Sequence, residues 1–367
     1  MLPSGEQTSA GLRIWVAAWK NFEASKLENQ LNRAPSVEEE QNIFYFRPMQ
    51  LLSPGHFPDY ELIDCGHFEK LERFGKYITI RPEPQAVWDA AMNVKEWEKM
   101  AHVRFVPKTS SSGTWKKYKE MPDRWMISYP LKTGKDETTN LAFRLALTAF
   151  KHVGIFPEQA VNWDFISEKV TNLITGSSSP LSLGEGPASP SASLGRPTGV
   201  RSVQPRVLNL FAYTGGASLA AKAAGADITH LDSVKQVVSW SRDNMELSGL
   251  KDIRWIVEDA LTFAEREVKR GKKYNGIILD PPAYGHGTDG QKWKLEEQIN
   301  EMMFLVKKLL DEKCFLILNT YSLGFSSLII ENLLKEEKGL NTGELYLPSQ
   351  TGYKLPLGVF GRFGRGC

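Results

Sequence analysis

From Arg206 onward the chain alternates short apolar segments with amphipathic ones. The apolar segments have strand length, and they read RVLNLFA, ITHLD, IRWIVED, YNGIILD and CFLILNT. The segments with helical spacing cover residues 216–224, 234–247, 260–271, 294–310 and 325–336. Near-continuous apolar strands joined by helices are typical of a parallel sheet covered on both faces. We therefore predict a doubly wound α/β fold over residues 206–367, in which the runs GELYLP and YKLPLGVFGRF form an antiparallel edge hairpin.

Residues 43–175 have a different pattern, which predicts a smaller β-rich domain with a helical end. The segments YELIDCG, KLERFGKYITIRPEP and RWMISYP alternate like strands and are interrupted by Gly and Pro. Two later segments, LAFRLALTAFKHVG and FPEQAVNWDFISEKVTNLI, have apolar residues at helical spacing. We predict a helix for each of them.

Two further segments are predicted to lie outside the folded domains. Residues 1–42 are polar, with an acidic run at 38–40, and are interpreted as a leader. Residues 176–205 are rich in Ser, Gly and Pro and contain almost no bulky apolar side chains. Such a segment buries too little surface to offset its loss of conformational entropy, so we predict a flexible linker.

Composition narrows the class of protein without identifying a substrate. No uninterrupted apolar run approaches the ~20 residues of a membrane span, and three cysteines are too few for a disulfide framework. The net charge of +2 neither predicts nor excludes a nucleic-acid partner. We expect a cytoplasmic protein with no membrane partner.

The turn after the first strand of the α/β region, Tyr213-Thr214-Gly215-Gly216, predicts a nucleotide-like ligand. It lacks the third glycine of a dinucleotide site and the Gly-Lys-Ser/Thr of a phosphate-binding loop. Few basic residues stand nearby to neutralise phosphates. A neutral, nucleoside-like ligand therefore fits best.

Acidic residues end the next three strands, where a doubly wound sheet binds its ligand. Asp232 could accept hydrogen bonds from a ribose diol, and Asp259 could contact an adenine amino group. Asp280-Pro281-Pro282 forms a rigid turn where an acceptor base would meet a methyl donor. A single Asp at a strand end is otherwise most often a solvated turn residue or a helix N-cap.

The run VLNLFAYTGGASLAAKAAGA, with HLDSVKQVVSWSRDNMELSGL, VEDALTF and YNGIILDPPAYG, resembles the Rossmann-like class I S-adenosylmethionine-dependent methyltransferases. It is most similar to the branch of bacterial 23S rRNA base methyltransferases, and HFEKLERFGKYITIRPEPQAVW resembles the β-rich region that precedes the catalytic domain in that branch. The resemblance implies S-adenosyl-L-methionine as cofactor and 23S rRNA as substrate. The residues that it assigns to the cofactor are Phe211, Tyr213, Thr214, Gly215 and Gly216 at the methionine end, Asp232 and Ser233 at the ribose, Asp259 and Ala260 at the adenine, and Asp280.

The same resemblance implies a catalytic floor of Asp280, Pro281 and Pro282, with Tyr284 as the residue that stacks on a target base. A tyrosine packed on its own loop explains Tyr284 equally well. In the cytosine-C5 members of the branch a nucleophilic cysteine follows the fifth strand, but here that position holds Tyr321. Cys314 lies about six residues earlier, roughly 20 Å away along a strand. A nitrogen acceptor is therefore favoured over C5 of cytosine.

Two other motifs contain residue types that bind RNA or metal ions. TWKKYKEMPDRW interleaves aromatic and basic residues, as in single-strand RNA contacts, but a solvated hairpin explains it almost as well. Cys65-Gly66-His67 has two metal-ligand types without a second pair at zinc spacing, so no metal is expected. The alternative function is a methyltransferase of a small molecule or protein, with the N-terminal region as a lid or oligomerisation surface.

Overall fold

The N-terminal part of the chain is built mainly from antiparallel strands. The computed structural model describes residues 49–109, 112–134, 137–176, 204–288 and 290–367, so the predicted leader and nearly all of the predicted linker lie outside the described residues. The elements are β1 Gln50–Leu52, β2 Tyr60–Gly66, β3 Glu69–Phe74, β4 Tyr77–Pro82, α1 Val94–Met100, β5 Val103–Pro107, β6 Gly113–Lys117, β7 Arg124–Lys132, β8 Thr138–Ala146, a 3-10 helix Pro157–Gln159 and α2 Ala160–Thr175. Strands β2 to β6 form one sheet, and β7 pairs with β8.

One predicted helix in this part is wrong. The first half of LAFRLALTAFKHVG belongs to β8, which pairs antiparallel with β7 along its whole length. Leu141, Phe143 and Leu145 are fully buried, whereas Ala142 and Arg144 between them are partly exposed. Apolar residues at i and i+4 fit a helix or a strand, and here the cross-strand contacts with β7 decide for the strand. The other predicted helix forms over the 3-10 helix and α2.

The region from Arg206 alternates strands and helices as predicted. Its elements are β9 Arg206–Leu210, α3 Gly216–Ala223, β10 Asp227–Asp232, α4 Lys235–Leu247, β11 Arg254–Val257, α5 Ala260–Lys269, β12 Tyr274–Leu279, β13 Tyr284–His286, β14 Lys292–Lys294, α6 Leu295–Leu309, β15 Leu310–Thr320, α7 Ser327–Leu334, β16 Asn341–Pro348 and β17 Lys354–Arg365. The glycine-rich loop that follows Tyr284 is the short antiparallel hairpin of β13 and β14.

The main sheet has eight strands in the order β1-β16-β17-β15-β12-β9-β10-β11. Strands β9 to β12 and β15 run parallel, and β17 adds antiparallel to both β15 and β16. The predicted fold class and antiparallel hairpin are therefore confirmed, but the hairpin is not at the edge of the sheet, because β1 pairs with β16 outside it. The chain leaves β9 toward β10 on one side and returns to β12 on the other. This reversal of strand order opens a crevice at the carboxyl ends of β9 and β12.

The hydrophobic core is continuous across the two parts of the chain. Phe143 and Trp163 of the N-terminal part share one buried cluster with Val207 and Leu219 of the α/β region. Residues 49–367 accordingly form one compact unit. Domain limits at 175 and 206 remain a prediction from the sequence. Among the described helices, none combines the length and apolar character needed to cross a membrane.

Candidate functional site

The turn after β9 has a strained backbone. Phe211 and Tyr213 are non-glycine residues in the left-handed region, at φ 57° and 47°, and Gly215 follows at φ 93°. Left-handed backbone at a non-glycine residue costs on the order of 1–3 kcal/mol and persists only where surrounding contacts fix it. Here the Tyr213 N–H donates to Asp232 Oδ2 at 2.9 Å, and Ser241 Oγ donates to the Tyr213 carbonyl at 2.7 Å. These two hydrogen bonds hold the turn in one conformation.

A buried chain of polar side chains supports this turn from behind. Asn209 donates to Ser218 Oγ at 2.9 Å, and the ring of His230 lies between the hydroxyls of Ser218 and Ser241 at 3.0 and 3.3 Å. Burial lowers the pKa of His230 to about 3, so the ring is neutral at pH 7. Because Ser241 donates to the Tyr213 carbonyl, the chain is satisfied when the His230 proton is on Nε2.

Glycine at 216 is required by a close contact with α2. A Cβ at Gly216 would lie 2.6 Å from the indole ring of Trp163. A Cβ at Gly215 would lie 3.2 Å from Ser241 Cβ, on the opposite side of the turn. Helix α2 therefore packs directly against the start of α3, and the N-terminal part forms one wall of the site.

The pocket at this crevice brings together six of the predicted residues. They are Phe211, Tyr213, Thr214, Gly215, Gly216 and Asp280. Phe156, Gln159 and Asn162 complete the wall from the 3-10 helix and α2, and the sequence analysis missed them. Among the described residues that line the pocket, none is Lys or Arg. The lining suits a partly aromatic ligand without phosphate groups better than a phosphate chain.

Asp232 and Ser233 lie at the end of β10, beside the pocket and not in its lining. The two carboxylate oxygens of Asp232 accept hydrogen bonds from the N–H groups of Tyr213 and Val234, both at 2.9 Å. Burial raises the pKa of Asp232, although these backbone donors oppose the rise. A carboxylate has about four lone-pair sites, so the group can still accept from a ligand hydroxyl.

Asp259 and Ala260 lie at the end of β11 and the start of α5. Asp259 Oδ1 caps the helix, accepting from the N–H of Thr262 at 2.9 Å and from its hydroxyl at 3.0 Å. The second oxygen faces the β13–β14 hairpin, because a Cβ at Gly287 would lie 3.1 Å from Asp259 Oδ2. The side chain thus acts as an N-cap, and its outer oxygen adjoins the hairpin.

Asp280 follows β12 and lines the pocket. Asn319 Nδ2 donates to Asp280 Oδ1 at 2.8 Å, and burial raises the pKa of Asp280 to about 6. Pro281 is buried and Pro282 is exposed. Trp293 of the hairpin donates from Nε1 to the Pro282 carbonyl at 2.7 Å.

Trp293 also packs against the strained turn, since the centroid of its ring lies 4.7 Å from that of Phe211. Trp293 and Asn319 were not identified from the sequence. The position of Trp293 between two lysines in QKWK is the one local signal for it, and no local pattern indicates Asn319.

Tyr284 projects from the hairpin with 52% of its surface exposed. Its hydroxyl lies 3.1 Å from His286 Nε2, and the two rings are perpendicular with centroids 5.0 Å apart. The ring is accessible to a ligand. Stacking on a target base remains a prediction.

Tyr321, at the position of the cysteine in C5 enzymes, connects the α/β sheet to a buried ionic cluster in the N-terminal sheet. Its hydroxyl donates to Glu83, which also pairs with Lys70 Nζ at 3.2 Å. Behind it, Arg81 and Glu72 form a bidentate pair with both distances 2.8 Å. The position is therefore occupied by a phenol engaged with a carboxylate.

The cysteines lie away from Asp280. Cys314 is fully buried near the start of β15, paired with Arg365, whereas Asp280 follows the opposite end of the adjacent strand. Cys367 contacts the Cys314 carbonyl at 3.3 Å. Cys65 is buried in β2, and burial raises the pKa of its thiol to about 12.

The side chains of TWKKYKEMPDRW and of Cys65-Gly66-His67 form contacts within the protein. Trp115 donates to the Thr148 carbonyl at 2.7 Å, the Tyr118 hydroxyl donates to Glu98 at 2.8 Å, and Trp125 is buried. The TWKKYKEMPDRW rings are thus largely committed to internal packing. His67 faces Asp89 at 3.5 Å, and no group of three or more metal-ligand side chains assembles within the described ranges.

A family model and solved structures of other proteins are similar to this chain. A family model described as S-adenosylmethionine-dependent methyltransferase matches residues 193–328. The crystal structure of a SAM-dependent methyltransferase from Agrobacterium tumefaciens is 32% identical, with a TM-score of 0.71 over 86% of this chain and 93% of that one. A putative SAM-dependent methyltransferase from Streptococcus mutans, 15% identical with a TM-score of 0.56 over 83% and 74%, shares the fold.

Curated relatives match over shorter stretches. Ribosomal RNA large subunit methyltransferase K/L of Pseudoalteromonas translucida is 35% identical over 125 residues, which is 33% of this chain and 17% of the relative. A putative ribosomal RNA large subunit methyltransferase of Methanocaldococcus jannaschii is 34% identical over 24% of this chain and 23% of the relative. The chain thus spans about a fifth of the length of these relatives. With the crevice, the glycine turn and the full-length similarity to the Agrobacterium enzyme taken together, the chain belongs to the S-adenosylmethionine-dependent methyltransferases.

Proposed function

We propose that this enzyme methylates a nitrogen atom of a base in ribosomal RNA, with 23S rRNA as the substrate. The RNA class is supported by the curated relatives, whose names specify the large ribosomal subunit. The nitrogen acceptor is carried by one observation: a partly buried carboxylate, Asp280, lines the pocket, and no cysteine of the described residues stands beside it.

The residues around the crevice fit S-adenosylmethionine as methyl donor. When bound, this cofactor supplies an electrophilic methyl group on a sulfonium. Gly215 and Gly216 keep the turn free of side chains, and Gln159, whose Oε1 accepts from Asn162 Nδ2 at 2.9 Å, offers its amide N–H group to a ligand. Asp232 offers acceptor lone pairs suited to a ribose diol.

Asp280 is suited to receive the proton that an amino nitrogen sheds when it gains a methyl group. A carboxylate whose pKa is raised to about 6 is ionised at pH 7 and is a stronger base than an ordinary aspartate. Its second oxygen, Oδ2, has no hydrogen-bond partner within the described residues. We assign this oxygen to the N–H of the acceptor.

Methylation at C5 of cytosine would need a thiolate on the target ring. Cys314 is buried near the far end of β15, and Tyr321 occupies the corresponding position with its hydroxyl engaged by Glu83. These contacts favour an acceptor that requires orientation and proton removal only.

Radiolabelled S-adenosylmethionine tests the proposal. The purified enzyme is incubated with ribosomal RNA and ribosomal particles from a strain that lacks the gene, and with RNA from the parent strain as control. Label should enter large-subunit RNA from the deletion strain only, and the labelled nucleoside should carry an N-methyl group after digestion. Asp280→Ala should abolish incorporation, whereas Asp227→Ala at the exposed start of β10 should not.

Label that enters only small metabolites or protein from the deletion strain would refute the RNA assignment. It would favour the alternative in which the N-terminal part acts as a lid over the pocket, a role compatible with the wall formed by Phe156, Gln159 and Asn162.

A further inference from the structure

Asn319 stands next to Asp280 on the neighbouring strand. Leu279 of β12 pairs with Leu318 of β15, so the residues that follow them emerge side by side at the carboxyl end of the sheet. Asn319 is 2% exposed, and its Nδ2 donates to Asp280 Oδ1 at 2.8 Å. The amide therefore holds one oxygen of the carboxylate from within the sheet.

The other half of the Asn319 amide has no partner. Its Oδ1 is buried without a hydrogen bond among the described residues, as is the hydroxyl of Thr320. A buried carbonyl left unsatisfied lowers stability, and an apolar residue of similar shape at this position would not carry that cost. The side chain is thus poorly explained by folding alone, and among the described residues its one hydrogen bond is to Asp280.

The backbone of β17 runs close beside Asn319 and Thr320. Gly358 of β17 has φ 124°, and a Cβ there would lie 2.7 Å from the Thr320 carbonyl and 3.7 Å from Asn319 Nδ2. Glycine at 358 thus permits β17 to approach the end of β15 closely.

We propose that Asn319 is a positioning residue for methyl transfer. Its amide fixes Asp280 by Oδ1, favours the ionised carboxylate and leaves Oδ2 for the N–H of the acceptor. This inference rests on the proposed function, because it assumes that Asp280 receives the acceptor proton.

Other charged groups near Asp280 would not replace this hydrogen bond. Glu158 of the 3-10 helix interacts electrostatically with Asp280, and it opposes a second negative charge. Lys70 and Arg81, which approach Glu158, are paired with Glu72 and Glu83. Tyr213 from the strained turn lines the same pocket. Among the described residues, the Asn319 amide is the one side-chain donor in contact with the Asp280 carboxylate.

The test is the pH dependence of kcat for Asn319→Leu, an apolar substitution of similar volume. Without the donor, the acid limb of the profile should move to higher pH by about one unit. Activity at pH 6 should then fall about fivefold relative to wild type and recover above pH 8, with the KM for S-adenosylmethionine unchanged.

Asn275→Leu is the matched control. It removes a similar amide at the opposite end of β12, where the side chain donates to the Lys313 carbonyl at 3.0 Å. The control should keep the wild-type profile. If Asn319→Leu does not fold, Asn319→Ser, whose hydroxyl is too short to reach Asp280, should give the same displacement.

An unchanged acid limb in the folded Asn319 variants would overturn the inference. A second readout separates this failure from failure of the proposed function. Carboxyl-carbon NMR of aspartate-labelled protein, with Asp280 assigned by Asp280→Asn, reports the titration of Asp280 directly. If the wild-type enzyme does not methylate ribosomal RNA, the proposed function fails, and the NMR titration of Asn319→Leu still decides the role of Asn319.

Discussion

Replacing Asp280 by asparagine should stabilise the folded protein while removing its activity. Burial raises the pKa of Asp280 to about 6 from the ordinary 3.8. Between these two pH values the folded state retains a proton that the unfolded chain releases, so wild-type stability falls as pH rises through this window. At ~1.4 kcal/mol per pH unit, the ionised carboxylate costs the fold up to ~3 kcal/mol above pH 7.

Asp280→Asn removes that cost and keeps an oxygen for the Asn319 amide. The difference in unfolding free energy between variant and wild type should therefore grow by ~2 kcal/mol from pH 4.5 to pH 7.5. Turnover should fall on the order of a hundredfold because the proton acceptor is lost. Urea unfolding at the two pH values measures the first effect, and methyl incorporation measures the second.

The pH-dependent part of the difference is independent of any packing change caused by the substitution, which should be similar at both pH values. Asp227→Asn at the exposed start of β10 is the control, and its difference from wild type should be the same at both pH values. A difference for Asp280→Asn that is constant with pH would refute the reasoning. It would mean that the carboxyl of Asp280 titrates alike in the folded and unfolded states.

Three further predictions concern the donor site, the predicted linker and the cysteines. Asp232→Ala should weaken S-adenosylmethionine binding by roughly 1.5–3 kcal/mol in calorimetry, because a charged acceptor is lost; NAD binding more tightly than S-adenosylmethionine would contradict the ligand assignment. Deletion of residues 177–203 should leave cooperative unfolding and donor binding unchanged, because loop length enters stability only logarithmically. The residues on either side of the deletion lie near the same turn, since Ile174 is beside Gly225 and the Asp227 N–H donates to the Pro205 carbonyl at 2.9 Å. Loss of the cooperative transition would contradict this prediction. Replacement of all three cysteines by alanine should keep turnover at saturating substrate within about threefold, and a covalent adduct with 5-fluorocytosine-substituted RNA would contradict the nitrogen acceptor.

The α/β region could be predicted from sequence because its pattern is both local and redundant. The central strands β9, β10, β12 and β15 are apolar on both faces, and the helices between strands are amphipathic, so the same alternation repeats along the region. The segment 141–146 lacked this redundancy. Its spacing suits either period, and only pairing with β7, which follows from the tertiary fold, selects the strand.

The sequence patterns identified only those site residues that directly follow the ends of strands. Asp232, Asp259 and Asp280 stand where strands give way to turns, and the turn chemistry marks them in the sequence. Trp293 and Asn319 carry no such mark. They approach Asp280 from a hairpin and from a strand further along the chain, and only sheet register brings them there.

The contact between Trp163 and Gly216 limits how a chain of this kind can acquire new substrates. Because the indole ring fills the space that a side chain at 216 would need, one wall of the pocket is formed by a helix that precedes the 176–205 segment. A recombination event or chimera that joined a foreign N-terminal module at that segment would deliver an α/β sheet with an open pocket wall and an uncovered apolar face. New acceptor specificity is therefore expected to arise through substitutions that leave α2 in place and not through exchange of the whole N-terminal part.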